Sequence, residues 1–307
     1  MKIHTMGCRG SLPSPSGDII GGRRINTQEF GGNTTCYYLE ADNGQKVIID
    51  AGSGIKRLGD LGEIEKADLF ITHTHWDHIQ GFPFFVPAYI KGNKINVYGE
   101  AKIAGDLVDT IDKSDPSTLP RVIQVNGVGM KEVLADQQKP RNFPAPLEYM
   151  AGLGDFYDFI PGGVIRDENG LRIEAMHLNH PGGCISYKFT ETSSPKNKVT
   201  IISTDFEPDY GEKDEGLKTW WENADLVVAD AQYEIDSKEN PFMQGYGHSD
   251  AFLNVGYAKQ AGVKRIVMTH YDMKSDDAYL RDLEQRARQF SNSVKVDFAR
   301  EGKTYTV

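Results

Sequence analysis

The run Leu69-Phe-Ile-Thr-His-Thr-His-Trp-Asp-His78 places four ligand-type side chains, His73, His75, Asp77 and His78, within six residues. An apolar stretch leads straight into them. His73 and His75 alternate, so an extended strand end would aim both to one side, and Asp77 and His78 follow where the chain bends. Imidazole combined with carboxylate suits zinc, iron or manganese, and the lack of nearby cysteine disfavours a closed structural zinc site. Four ligands exceed what one catalytic ion requires, so two ions sharing the cluster is the economical reading. A lone histidine is usually a surface residue or a satisfied core residue. Here five of eight histidines lie in or just beyond two strand-end clusters (73, 75, 78, 177 and 180), which chance explains poorly.

More ligands are needed to complete two sites. His180 in Met-His-Leu-Asn-His-Pro-Gly-Gly, Asp205 in Ile-Ile-Ser-Thr-Asp-Phe and His270 in Ile-Val-Met-Thr-His-Tyr each follow a predicted strand. Loops at strand ends gather functional side chains on rigid scaffolding. Asp50, closing Val-Ile-Ile-Asp, has the same placement, and its Gly-rich sequel allows a tight turn.

The elements that must position these residues are short apolar runs. Strands are expected at Lys2–Met6, Cys36–Leu39, Val47–Asp50, Leu69–Thr72, Ile95–Gly99, Arg172–Met176, Ser186–Thr190, Val199–Ser203, Leu226–Ala229 and Arg265–Thr269. Helical patterns cover Ala101–Asp112, Leu217–Asn223, Asp250–Ala261 and Asp276–Phe290, with Ser249 placed to cap the third and Gly262 to end it. So many strands, mixed with helices throughout, suit two packed sheets with outer helices better than one doubly wound sheet. Gly10–Asn33 reads as a long functional loop. The proline-rich stretch 113–163 reads as an inserted, mostly irregular segment, within one domain spanning 1–307.

The chain has 307 residues, 39% hydrophobic and 25% charged, enough to bury a core without covalent staples. Three cysteines, Cys8, Cys36 and Cys184, with no CxxC spacing, argue against a disulfide framework and for a reducing compartment. The N-terminal stretch has no apolar run of signal-peptide length, and no run approaches 18 apolar residues. The cytoplasm is the expected location, with no membrane partner. Net charge is −10, with 44 acidic against 34 basic residues and no basic stripe. Long nucleic acid is therefore disfavoured. Two divalent ions would still add local positive charge for a small anion.

These ordered segments resemble the metallo-β-lactamase superfamily over nearly the whole chain. The resemblance implies an α+β, four-layer αββα sandwich with metals at one edge between the sheets. It implies that His73, His75 and His180 hold one metal, that Asp77, His78 and His270 hold a second, and that Asp205 bridges both. Asp50 would orient a ligand from behind, and His177 would be structural. The metals are two divalent ions, zinc being expected, with iron or manganese as options.

The fold alone does not choose the chemistry. His248 in Gln-Gly-Tyr-Gly-His-Ser-Asp, preceded by Val228-Ala-Asp-Ala-Gln-Tyr233, is similar to a segment of ribonuclease Z-like phosphodiesterases, where the extra histidine sits near the leaving oxygen. A departing alkoxide must be protonated or stabilised; the plain alternative is a histidine leading into a helix capped by Ser249. The segments Met6–Pro15 and Gly31–Cys36 resemble the N-terminal loop of the same branch and of bacterial cyclic-nucleotide phosphodiesterase-like proteins. There Asn33 or Thr34 could donate to an anion, a structural turn being an equal reading. The resemblance thus implies a two-metal hydrolase acting on a small or cyclic phosphodiester, with Asp77 and His248 as catalytic residues. No basic Gly/Pro-rich arm of the transfer-RNA-gripping kind stands out in the sequence. A thioester or lactone hydrolase of glyoxalase type explains the ligands but leaves His248 without work. A diiron oxygen-binding protein usually shows glutamate where this chain has His75. Relatives of this kind often dimerise, so a homodimer is compatible with the resemblance.

Overall fold

The computed structural model describes residues 1–60, 64–101, 128–193, 196–209, 211–234 and 245–307. Strands in the first half are β1 (Lys2–Gly7), β2 (Ile19–Ile20), β3 (Arg23–Arg24), β4 (Cys36–Glu40), β5 (Lys46–Ile49), β6 (Lys66–Phe70), β7 (Lys94–Glu100) and β8 (Leu153–Phe159). Those in the second are β9 (Gly163–Glu168), β10 (Leu171–Leu178), β11 (Cys184–Glu191), β12 (Lys198–Ser203), β13 (Leu226–Asp230), β14 (Arg265–Thr269), β15 (Lys295–Phe298) and β16 (Thr304–Thr306). The helices are α1 (Ile55–Asp60), α2 (Trp76–Ile79), α3 (Met130–Gln137), α4 (Glu212–Trp220), α5 (Ala251–Gln260) and α6 (Asp277–Ser291). Two seven-stranded sheets result, ordered β16-β1-β4-β5-β6-β7-β8 and β15-β14-β13-β12-β11-β10-β9.

Alternation along the strands builds the layers. In β4, Tyr37 and Leu39 join the core between the sheets, whereas Cys36 and Tyr38 face an outer cluster. In β5 and β6, Val47, Ile49 and Phe70 point inward while Ile48 and Leu69 point outward. Both faces are covered, which is why these parallel strands read as continuous apolar runs rather than an alternation. Helices α1 and α3 pack on the first sheet and α5 and α6 on the second, completing the αββα order. The two inner faces meet around Phe70, whose ring lies 4.4 Å from Tyr98, 5.2 Å from Tyr187 and 6.2 Å from Phe189.

Each of the ten expected strands overlaps an observed one. One boundary moves for a reason that matters. The expected span is Leu69–Thr72, but β6 ends at Phe70. Beyond it the chain crosses to the other sheet, with Tyr187 Oη donating to Ile71 O (2.7 Å) and Ile185 N donating to Thr72 O (3.0 Å). His73 is thereby aimed from a segment bonded to both sheets.

Other expectations need correction. Asp250, not Ser249, caps α5, its Oδ1 accepting from Phe252 N (2.7 Å) and Leu253 N (3.0 Å). Gly262 does follow that helix in a left-handed conformation (φ 69°). The stretch 113–163 is expected to be mostly irregular. Residues 113–127 lie outside the described residues, but the remainder holds α3 and the edge strand β8. The predicted helix Ala101–Asp112 lies outside the described residues apart from Ala101. Among the described residues, no helix is long and apolar enough to cross a membrane.

Candidate metal centre

In the first sheet β5, β6 and β7 run parallel, and in the second β12, β13 and β14 do. Their C-terminal ends carry the functional side chains, the edge at which α/β sheets place ligands. Asp50 follows β5, His73–His78 follow β6, Asp205 follows β12, Asp230 ends β13 and His270 follows β14. Three of these loops, and the N-terminal loop after β1, depend on an unusual backbone. Among the described residues, seven non-glycine residues have positive φ. Three are asparagines, and the others are Ser11 (62°), Asp50 (62°), Asp205 (53°) and His270 (59°). Left-handed backbone at a non-glycine residue costs about 1–3 kcal/mol and concentrates at functional sites. Here all four reverse the chain at one spot.

The predicted ligands gather into two sets. His73, His75 and His180 form one, and Asp77, His78, Asp205 and His270 the other, with candidate ligand atoms in each set lying within 4.8 Å of one another. In the second set His78 Nε2 lies 3.1 Å from Asp205 Oδ2 and 3.4 Å from Asp77 Oδ2. His270 Nε2 lies 3.1 Å from both carboxylates. Asp205 Oδ2 also approaches His73 Nε2 at 3.7 Å, joining the sets.

The residues fit a pair of cations on three counts. His73 Nε2 and Asp205 Oδ1 are buried with no hydrogen-bond partner among the described residues. Desolvated polar atoms of that kind are costly unless something fills the gap. His78 Nε2 and His270 Nε2 face each other at 3.3 Å, an arrangement that needs a proton or a cation between lone pairs. The donor set, nitrogen and carboxylate oxygen without sulfur, suits divalent transition metals.

Electrostatics separates the two sets. Burial holds His73, His75 and His180 below the ordinary imidazole range, so they present neutral lone pairs. In the other set, burial is outweighed by the neighbouring charges. Asp205 and Asp77 push His78 well above its ordinary value, and Asp205 with the Asp77 hydrogen bond brings His270 up to about 9. Conversely, burial raises Asp77 and Asp205, but the facing imidazoles hold both well below the carboxylate range. Those protons stand where a cation would otherwise balance two carboxylates.

Partners behind the ligands fix their orientation. Asp50 Oδ2 takes His78 Nδ1 at 2.8 Å, in the orienting role the resemblance implies, and Thr72 donates to the same carboxylate. His180 Nδ1 donates to Gly247 O (2.8 Å). His177 sits apart on β10, half-exposed and 3.4 Å from Glu100 Oε1. Asn33 and Thr34 are engaged within the chain: Asn33 Nδ2 donates to Glu301, and Thr34 Oγ1 accepts from Ser53 N and Gln80 Nε2. These bonds are those of a structural turn, and Thr34 Oγ1, an acceptor in both of its own, keeps its hydroxyl proton.

His248 lies beside both sets, its ring 4.8 Å from His270 and 5.4 Å from His180. Its Nδ1 donates to Asp230 Oδ2 at 2.7 Å, which leaves Nε2 as the free ring nitrogen. Asp230 has no assigned role in the sequence reading, although it closes Leu-Val-Val-Ala-Asp just as Asp50 closes its own strand. Gln232, which accepts from His270 Nδ1 at 2.8 Å, carries no comparable signal. A cavity of about 450 Å³ opens beside His180, lined in part by Asn179, Phe206, Glu207 and Lys213.

Fold and site together define a binuclear-type metallohydrolase architecture, and residues 30–192, more than half of the chain, match the metallo-beta-lactamase superfamily. The protein belongs to that superfamily. Ribonuclease Z from Methanothermobacter thermautotrophicus is 26% identical over 245 residues, covering 74% of this chain and 77% of its own. Among solved structures, the metallo-beta-lactamase fold protein YhfI from Bacillus subtilis superposes with TM-score 0.65 at 17% identity, covering 99% of this chain and 98% of its own. The short form of human tRNase Z superposes with TM-score 0.64 at 16% identity, covering 100% of this chain and 99% of its own. These structural likenesses are of fold. Membership implies binding of divalent metal, and the His/Asp sets meet that requirement.

Proposed function

We propose that this protein is a two-metal phosphodiesterase acting on a small or cyclic phosphodiester, with one metallo-β-lactamase-fold domain as its working unit. His73, His75 and His180 hold one ion, Asp77, His78 and His270 the other, and Asp205 both; zinc suits this nitrogen-rich donor set. Bound there, divalent ions would supply Lewis acidity and a water of lowered pKa. The rest falls to the chain's own groups. Asp77 and Asp205 keep the reacting centre in register, and Asp50 holds His78 in one tautomer. His248 stands outside the proposed ligand sets with Nδ1 donating to Asp230, so when the ring carries both protons Nε2–H can deliver a proton or a hydrogen bond to the leaving oxygen.

That His248–Asp230 pair is the observation that carries the reading. A thioester hydrolase expels a thiolate, which departs without protonation and gives a poised donor little work. The alkoxide of an opened lactone would use one, and only the substrate assay separates that case from a diester. His248 is also close enough to Asp205 and His180, or to Asp230 and His270, to act as a ligand itself. A carboxylate behind Nδ1 serves either role, as Asp50 behind the proposed ligand His78 shows, and metal content of His248→Ala separates the two. Relatives named ribonuclease Z support diester chemistry. The acidic balance favours a compact substrate over transfer RNA. We place the protein in the cytoplasm, where its three buried, free cysteines stay reduced.

The test assays metal-loaded protein against bis-(p-nitrophenyl) phosphate, cyclic nucleotides, a precursor transfer RNA, a thioester and a lactone. Turnover of the small diesters is expected. Turnover of the thioester or lactone with no diester cleaved overturns the reading, and cleavage of the precursor RNA alone overturns the choice of substrate.

A further inference from the structure

Taken as cation sites, the reading proposed above and the one this inference rests on, the two sets differ in how firmly they are held. Three members of the Asp77–His78–Asp205–His270 set are each held by a bond to a residue outside it. Asp50 holds His78, Ser11 N donates to Asp77 Oδ2 at 2.8 Å, and Gln232 Oε1 accepts from His270 Nδ1 at 2.8 Å. Accepting at Nδ1 leaves the Nε2 lone pair of His270 facing the carboxylates, so Gln232 selects the tautomer able to ligate.

The braces are themselves tied together. Gln232 N donates to Asp230 Oδ1 (2.8 Å), and its Nε2 donates to Ser11 Oγ (3.3 Å) and Tyr233 Oη (3.2 Å). Gly10 N donates to Tyr271 O (3.0 Å) and lies close against the His270 imidazole. A Cβ there would sit 2.4 Å from His270 Nδ1 and 2.9 Å from Gln232 Oε1. Just before it, the fully buried Arg9 donates to Gly31 O, Asp272 O and Ser275 O, pinning the loop after His270 to the N-terminal loop. Ser11 is held in its left-handed conformation by this frame.

The other set is looser. Thr72 Oγ1 is 3.2 Å from His73 Nδ1, and Gly247 O accepts from His180. His75 is exposed, and among the described residues its hydrogen-bond contact is the His180 ring alone, at 3.1 Å. Three imidazoles with the shared Asp205 also attract a cation less than a set that holds Asp77 as well as Asp205 does.

We propose that Gly10, Ser11 and Gln232 are positioning residues that make the Asp77–His78–Asp205–His270 set the tighter cation site. That site fills first, and the His73–His75–His180 site exchanges its ion with solvent. The experiment titrates Co²⁺ into the metal-free full-length protein, followed by calorimetry and by visible absorption of the bound ion. Two events separated by roughly tenfold or more are expected, the weaker one vanishing in His75→Ala. Gln232→Leu weakens the tighter event by roughly 10–100-fold and leaves the weaker in place. Gln232→Glu, which keeps the acceptor, restores it, whereas a purely structural role would not respond to that choice. Gly10→Ala displaces His270 and repeats the effect should Gln232→Leu fail to fold. Two events of equal affinity, or both weakened alike with no rescue by Gln232→Glu, overturn the inference while leaving the proposed function intact. A wild-type protein that binds no Co²⁺ overturns both.

Discussion

From the first sheet, a single crossing from β6 into α2 delivers His73 and His75 ahead of the helix and Asp77 and His78 within it. From the second, the ends of β10, β12, β13 and β14 deliver His180, Asp205, Asp230 and His270 from separate loops, and His248 arrives just ahead of α5. The first contribution is local: the chain between β6 and α2 needs only to extend and then turn. The second is a product of sheet register, because parallel pairing of β12, β13 and β14 brings their ends level. Two of its residues, Asp205 and His270, then need left-handed backbone to turn inward. The motif on one sheet therefore works only as well as the other sheet is aligned to it.

Breaking the joint between the sheets should have the largest effect. Asp205 comes from the second sheet yet touches ligands of both sets, so Asp205→Ala is expected to empty both sites and abolish turnover, read by metal analysis and diester assay. Retention of one ion per chain would mean that the first sheet's motif is self-sufficient. His248→Ala sharpens the comparison by removing a second-sheet contribution that is not a proposed ligand. Turnover should fall roughly 10²–10⁴-fold with metal content unchanged; loss of an ion instead would make it a ligand.

Packing gives the next test. Phe189 lies in the inter-sheet core against Phe70 of the first sheet. Phe189→Ala should cost about 3–5 kcal/mol in denaturant unfolding, whereas Ile48→Val on the outer face of the first sheet should cost about 0.5–1.5 kcal/mol. A loss below about 1.5 kcal/mol at Phe189 would show that the inter-sheet core closes over the missing ring. The smallest effect is expected far from the centre. Asp276 caps α6 by accepting from Tyr279 N at 2.9 Å, so Asp276→Ala should lower stability by about 1 kcal/mol and leave metal binding alone.

Legibility in the sequence follows the same division. The His73–His78 run announces itself because four donors fall within six residues, and Asp50, His180, Asp205 and His270 can be found because each terminates an apolar run. Asp230 has that signal too and still escapes, since nothing local distinguishes a carboxylate that orients His248 from one that merely ends a strand. Strand β8, Leu-Gly-Asp-Phe-Tyr-Asp-Phe, lacks β-branched residues and owes its conformation to pairing with β7. The cap of α5 moves by one residue because Ser249 turns its hydroxyl to Asn254 Oδ1, leaving Asp250 to meet the helix amides.

Residue type and spacing alone settled which atoms can donate to a cation and that apolar runs would form two covered sheets, because both depend on side-chain chemistry and on periodicity within a few residues. Only the tertiary structure decided which donors gather into each set, that Ser11 and Gln232 hold two of them, and that His248 answers to Asp230. Those relations join residues as far apart as 221 positions, and distance in space is set by sheet register and backbone reversal, which no local pattern encodes.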